Sequence, residues 1–129
     1  MESIEIKSGS TAASLKFCNR DSEYFNVVYE SPSVKLMKRV WGYTDCKYLV
    51  SLFRFMAKEW KGWEGSQEWT SIEGEFGISA TCDNLGHILL TLTFKEFDGP
   101  ENWKANVQLF IDSGQTETIA KQAAEFFAV

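Results

Sequence analysis

His87 is the only histidine in the chain, so a Ser-His-Asp or Cys-His nucleophile would have to use it as its base. Cys82 lies just before it, across the turn residues Asp83-Asn84-Leu85-Gly86. Strict alternation, however, groups Cys82 with Phe76, Ile78 and Ala80, and His87 with Thr91, Thr93 and Lys95. Thiol and imidazole are therefore expected on opposite faces of a hairpin, with His87 serving its turn. Structural zinc asks for four Cys or His ligands at close spacing, and Cys18, Cys46, Cys82 and His87 are scattered over four elements. None of the nine glycines builds GxGxxG or GxxxxGK[ST], so no phosphate cradle is expected. Glu73, Glu75, Asp83, Glu96 and Asp98 could supply an acid and a base, but no spacing sets two of them at a glycosidase separation. The residues predict no catalytic group, no metal and no cofactor, and argue against a hydrolase, transferase or metalloenzyme.

Charge is more informative. The chain has a formal net charge of −5, distributed unevenly. Residues 1–63 carry a surplus of three positive charges, whereas residues 64–101 hold eight carboxylates against the single Lys95. These are Glu64, Glu68, Glu73, Glu75, Asp83, Glu96, Asp98 and Glu101. An acidic field repels nucleic acid, whose binders need a positive footprint, and accelerates encounter with basic proteins. Glu73 and Glu75 are expected on the exposed face of the hairpin's first arm, with Glu96 and Asp98 beyond its second.

The elements that must position these groups follow from hydrophobic period. Phe76 to Phe97 is the clearest β-hairpin: Phe76, Ile78, Ala80 and Cys82 alternate in one arm, and Ile88, Leu90, Leu92 and Phe94 in the other. Ahead of it, short strands are expected around Ile4 and Ile6, Leu15 and Phe17, Tyr24 to Tyr29, and Val34 to Trp41. Lys35, Lys38 and Arg39 mark the last of these as solvated or an edge. The period then changes. Leu49, Leu52, Phe53, Met56 and Trp60 form one helix face, with Thr44 or Asp45 as cap and Gly62 as the left-handed stop. Trp63-Glu64-Gly65-Ser66 reads as a loop, Trp69 to Ile72 as a short strand and Gly74 as a bulge or corner. After the hairpin, Trp103, Ala105, Val107, Leu109 and Ile111 alternate in a further strand. Asp112 or Ser113 then caps a terminal helix carrying Ile119, Ala123, Phe126 and Phe127 on one face. Short connections require antiparallel pairing. The order ββββαββββα predicts an α+β fold, a curved antiparallel sheet of six to eight strands with helices packed on one face. Both halves run strands and then a helix, but no residue pattern repeats between them.

At 129 residues, 44% hydrophobic and 24% charged, the chain has the size and balance of one domain spanning residues 1–129. Aromatics are in excess at 15%, which predicts a core of few, large side chains. Three widely spaced cysteines with no CxxC pair read as reduced, buried thiols. No apolar run reaches membrane-spanning length and MESIEIKSGS lacks a signal pattern, so a cytoplasmic protein without membrane contact is expected.

Trp60-Lys61-Gly62-Trp63, Trp69-Thr70-Ser71-Ile72-Glu73-Gly74, Asp83-Asn84-Leu85-Gly86-His87 and Gly114-Gln115 together resemble a small, uncharacterised bacterial family. Its members carry a W-x-G-W helix end, a W-x-S-x-E-G stretch, a D-x-x-G-H turn opening a hydrophobic strand, and a closing helix near a Gly-Gln pair. The resemblance covers roughly residues 45 to 127. It implies no activity, but in size and style it is similar to immunity proteins that neutralise bacterial toxins.

Two functions follow as expectations. In the first, the protein is a non-catalytic binding module, an immunity-type or regulatory partner of a basic protein such as a toxin. The eight carboxylates of residues 64–101 would form the contact face, with Trp63 and Trp69 as aromatic contacts. In the second, the curved sheet and helix enclose a pocket for a small apolar molecule.

Overall fold

The computed structural model describes residues 1–129. Four strands, β1 (Ser3–Lys7), β2 (Ser14–Cys18), β3 (Tyr24–Glu30) and β4 (Lys35–Trp41), form an antiparallel meander in sequence order. Helix α1 (Cys46–Lys58) follows, and a second meander is built from β5 (Trp63–Thr70), β6 (Phe76–Cys82), β7 (His87–Glu96) and β8 (Trp103–Asp112). A 3-10 turn over Ser113–Gln115 leads into α2 (Thr116–Phe126). The order is ββββαββββα and the class α+β, as the periods predict. The strands form two four-stranded sheets where one curved sheet was expected. The reason is α1, which separates β4 from β5 so that the two never pair and the ladder is cut between them. The Phe76 to Phe97 hairpin supplies the two central strands of the second sheet.

Alternation decides what each sheet buries. Ile4, Ile6, Leu15, Phe17, Phe25, Val27, Tyr29 and Val40 are buried from the first sheet; Ile78, Ala80, Ile88, Leu90, Leu92, Leu109 and Ile111 are buried from the second. Phe17 is the meeting point. Its ring lies edge-on to Phe25 of β3, Phe53 of α1, Phe76 of β6 and Phe127 at the end of α2, at centroid distances of 5.8, 6.2, 6.3 and 5.7 Å. These T-shaped contacts add to the burial of large rings.

Helix α1 buries Leu49, Val50, Leu52, Phe53 and Met56. Its apolar stripe is therefore wider than the expected one at Val50 and shorter at Trp60, which lies past the last helical turn and is 47% exposed. Asp45 occupies the N-cap position without making a side-chain capping bond. Its Oδ1 is buried with no hydrogen-bond partner. Gly62 takes φ +126° on leaving the helix, and a Cβ there would lie 2.7 Å from the Asp83 carbonyl oxygen. Both conformation and space require glycine.

Strand β5 begins at Trp63, so the segment read as a loop is already strand. Its register against β6 shifts between Trp63 and Gln67, where Gly65 has φ +69°, and such a bulge breaks the period that would reveal the strand. Ile72 falls in the turn beyond β5 and is exposed. On α2, Ile119, Ala123, Phe126 and the following Phe127 are all buried as their spacing predicts. The two sheets are tied by the Gly9 N–H donating to the Phe110 carbonyl at 2.9 Å and the Gln115 side-chain amide donating to the Lys7 carbonyl at 2.9 Å. No helix is long and apolar enough to cross a membrane.

Candidate functional site

The β6–β7 turn is built by one carboxylate. Asp83 Oδ1 accepts the backbone N–H groups of Leu85 and His87, each at 2.9 Å, and Oδ2 lies 3.0 Å from His87 Nδ1. Gly86 completes the turn at φ +80°. The His87 backbone N–H first, with the Leu85 N–H and the His87 side chain after it, holds the Asp83 carboxyl below its ordinary range against the opposing effect of burial. An ionised Asp83 accepts only, so the proton on the neutral imidazole resides on Nδ1 and Nε2 is an acceptor.

Cys82 is buried on the other side of the strand, where its Sγ lies 3.2 Å from the Asp83 carbonyl oxygen. Burial, with the nearby Asp83 charge second, raises its pKa. The thiol stays protonated and faces away from His87, as alternation predicts, so the two do not form a nucleophile pair. Cys46 is pushed up to about 11, by burial first and then by Asp45, against the lowering effect of Arg20. Its Sγ donates to the Gly42 carbonyl at 3.1 Å. No three His, Cys, Asp or Glu side chains converge as a metal cluster.

The eight acidic positions are not one patch. Strand β6 runs seven residues, roughly 20 Å at the rise of a strand, and it separates Asp83 at one end of the second sheet from Glu73 at the other. Glu73 shares its end with Asp98 and Glu101, which lie on the β7–β8 connection, and all three are exposed. Glu64 and Glu68 project from β5 and are exposed. Two expectations need correction. Glu75 is buried, 7% exposed, and accepts a hydrogen bond from the Ser71 hydroxyl beneath the β5–β6 turn. It precedes β6, so the strand's alternation does not govern its direction. Glu96 is half-buried and paired at 3.1 Å with Lys38 of the first sheet, a contact invisible before the two sheets are placed.

Of the expected aromatic contacts, Trp69 is a core residue, 6% exposed, whose Nε1–H donates to the Asp45 carbonyl at 3.3 Å. The tertiary position of α1 turns it into a clasp between β5 and the helix N-terminus. Trp63 is half-buried, donating Nε1–H to the Ala80 carbonyl at 3.2 Å and meeting Phe55 edge-on at 5.3 Å. One side of it remains open. It lines a cavity of about 760 Å³ that also takes in Leu89 and Phe110, together with Asp83, His87 and Asp112.

That cavity follows from the strand register. Thr81, Leu89 and Phe110 stand in one cross-strand row on the outward face, and His87 is paired directly with Asp112 in the next position outward. Phe110 is 50% exposed. Leu89, Phe110 and Asp112 were not among the expected site residues. The signal for the first two was present in Ile88-Leu89-Leu90 and Leu109-Phe110-Ile111. In strands that bury alternate side chains, the middle residue of an apolar triplet must face outward, and here both middles are neighbours across the ladder.

Comparison with known proteins adds no chemistry. No curated protein matches the chain. A likeness is found to the structure described as "Crystal structures of Trypanosoma bruciei MRP1/MRP2", at 12% identity over 98% of this chain and 85% of that one. Its TM-score of 0.47 is too low to carry an argument. A model of a family of unknown function, DUF6228, matches residues 6–129, and the chain belongs to that family.

Proposed function

We propose that the protein is a non-catalytic binding module whose partner is a basic protein, in an immunity-type or regulatory role. The observation that carries this reading is a concentration of charge, because residues 64–101 hold eight carboxylates against the single Lys95. Glu64, Glu68, Glu73, Asp98 and Glu101 are exposed, and the ion pairs of the molecule include none of them. Residues 1–63, by contrast, carry ten lysines and arginines against seven carboxylates. Exposed carboxylates outside any ion pair keep their long-range field. Such a field raises the encounter rate with a positively charged surface and disfavours nucleic acid. A toxin that acts on nucleic acid is itself basic, so an acidic module can meet it quickly and cover its substrate groove.

The test begins with the product of the neighbouring coding sequence in the source genome, purified and presented to this protein. Its association rate should fall about tenfold or more between low and physiological ionic strength. It should fall again for a Glu68→Lys, Glu73→Lys, Glu101→Lys variant that keeps the native fold. An association rate that ignores both salt and charge reversal would assign these carboxylates to solvation alone.

A further inference from the structure

The cavity at the turn end of the second sheet has a chemistry of its own. Its apolar surface is supplied by Trp63, Leu89 and Phe110, and its polar rim by Asp83, His87 and Asp112. It crosses the sheet from β5 to β8, about 14 Å at the usual spacing of three strand intervals.

The rim is rich in hydrogen-bond acceptors and in negative charge. Asp83 is held below its ordinary pKa by the turn's N–H groups, Asp112 makes no ion pair, and Nδ1 of His87 faces Asp83 at 3.0 Å, so that Nε2 is the ring nitrogen without a partner. No lysine or arginine lines the cavity. Its complement therefore has an apolar stem, a flat cationic head and several N–H donors. Among protein side chains that is arginine. The guanidinium stacks on an aromatic face, donates in a fork to carboxylates and is weakly hydrated, whereas the lysine ammonium is compact and strongly hydrated. Phe110 and Asp112 lie two residues apart on the same outward face of β8, next to Leu89 and His87 of β7 respectively. A stem laid over Leu89 and Phe110 would deliver its head to the Asp112 end.

We propose that this cavity is the seat of an arginine side chain presented by the basic partner. The inference rests on the reading that the partner is a basic protein, and it names the residue that anchors it. An anchor of this kind, an aromatic-lined cavity taking one long cationic side chain, is where binding energy concentrates in an interface.

The test uses the full chain, isotope-labelled, titrated with the peptide acetyl-Gly-Arg-Gly-amide and followed by backbone amide NMR shifts. Two control peptides replace Arg by citrulline, which keeps the planar shape without the charge, and by Lys. The Arg peptide should saturate with an affinity on the order of millimolar, as fits one side chain, moving the amides of His87, Leu89, Phe110 and Asp112. Citrulline should bind about tenfold more weakly or not at all, and Lys should fall between. Phe110→Ser and Asp112→Asn alter exposed side chains, so each should fold and each should weaken the Arg peptide several-fold. Equal binding of Arg and citrulline, shifts centred elsewhere, or no saturable shift would overturn the proposal. The partner's association rate separates this failure from failure of the broader reading. If that rate still responds to salt while the peptide does not bind, only the arginine seat falls; if the peptide binds and the rate ignores salt, the seat stands and the steering surface falls.

Discussion

The two halves of the molecule have the same architecture and opposite surfaces. Residues 3–58 and 63–126 each run four strands in a meander and then a helix, each burying one face of its sheet against the shared core. Outside, residues 1–63 carry a surplus of three positive charges, whereas residues 64–101 hold eight carboxylates against the single Lys95, five of them exposed and outside any ion pair. The first sheet's outward side carries a stacked Trp41–Tyr43 pair, 6.0 Å apart and 4° from parallel, and Arg39 over Tyr24 at 5.6 Å. The second's carries the acceptor-rimmed cavity. Topology constrains only the inward positions, because alternation assigns every second side chain to the core and leaves the others free. Surface chemistry can therefore diverge completely on one architecture.

The largest effect is expected where the two halves meet. Phe17 contacts rings from both sheets and from both helical segments, so Phe17→Ala should cost about 3 to 5 kcal/mol. It should lower the denaturant midpoint of the whole chain in one transition. Far-UV circular dichroism reads both halves, and near-UV signal from Trp63, Trp69 and Trp103 reads the second. If the second half kept its midpoint while the first lost structure, the halves would be independent domains.

The junction between them gives the next effect. Gly62→Ala places a Cβ 2.7 Å from the Asp83 carbonyl oxygen in a backbone conformation that disfavours side chains. It should cost roughly 1 to 3 kcal/mol and perturb the Asp83–His87 turn at the same time. An unchanged melting temperature would mean that the junction yields freely.

A smaller effect has the opposite sign. Burial first, and the neighbouring Glu75 charge after it, raise the Asp45 pKa above 3.8, against the backbone N–H groups of Asp45 and Ile72. The folded chain then holds this proton more tightly than the unfolded one. Asp45 thus disfavours folding at neutral pH, and its penalty is relieved as pH falls through its raised value toward about 3.8. Asp45→Asn should raise the melting temperature at pH 7 and reduce the rise in relative stability on mild acidification. Asp21 and Asp83 act in the other direction. Two backbone N–H groups chiefly lower each pKa, so their contribution is present above about 3.8 and is lost as pH falls through their lower folded values. A melting temperature at pH 7 that drops on Asp45→Asn would show that the carboxylate is satisfied where the structure leaves Oδ1 without a partner.

The smallest expected change in stability lies on the surface that differs most. Glu68→Lys alters an exposed, unpaired residue and should shift stability by no more than about 0.5 kcal/mol, even as it slows association with a basic partner. A large loss would reveal a structural role for the acidic surface.

The element order was legible because burial writes itself into period. Alternation located the central hairpin and the strands around Leu15, Phe25 and Val40, and the change to helical spacing at Leu49 located α1. The opposite facing of Cys82 and His87 also follows from alternation alone. What the sequence could not determine is whatever depends on residues far apart along the chain. The partition into two sheets turns on β4 and β5 failing to pair. The fate of Glu96 turns on where the first sheet delivers Lys38, and that of Trp69 on where α1 presents the Asp45 carbonyl. Glu75 left the surface because a turn, which has no period, directs its side chain. Leu89, Phe110 and Asp112 were each readable as residues, but their union with Trp63, Asp83 and His87 depends on cross-strand register, and register is a property of the folded sheet.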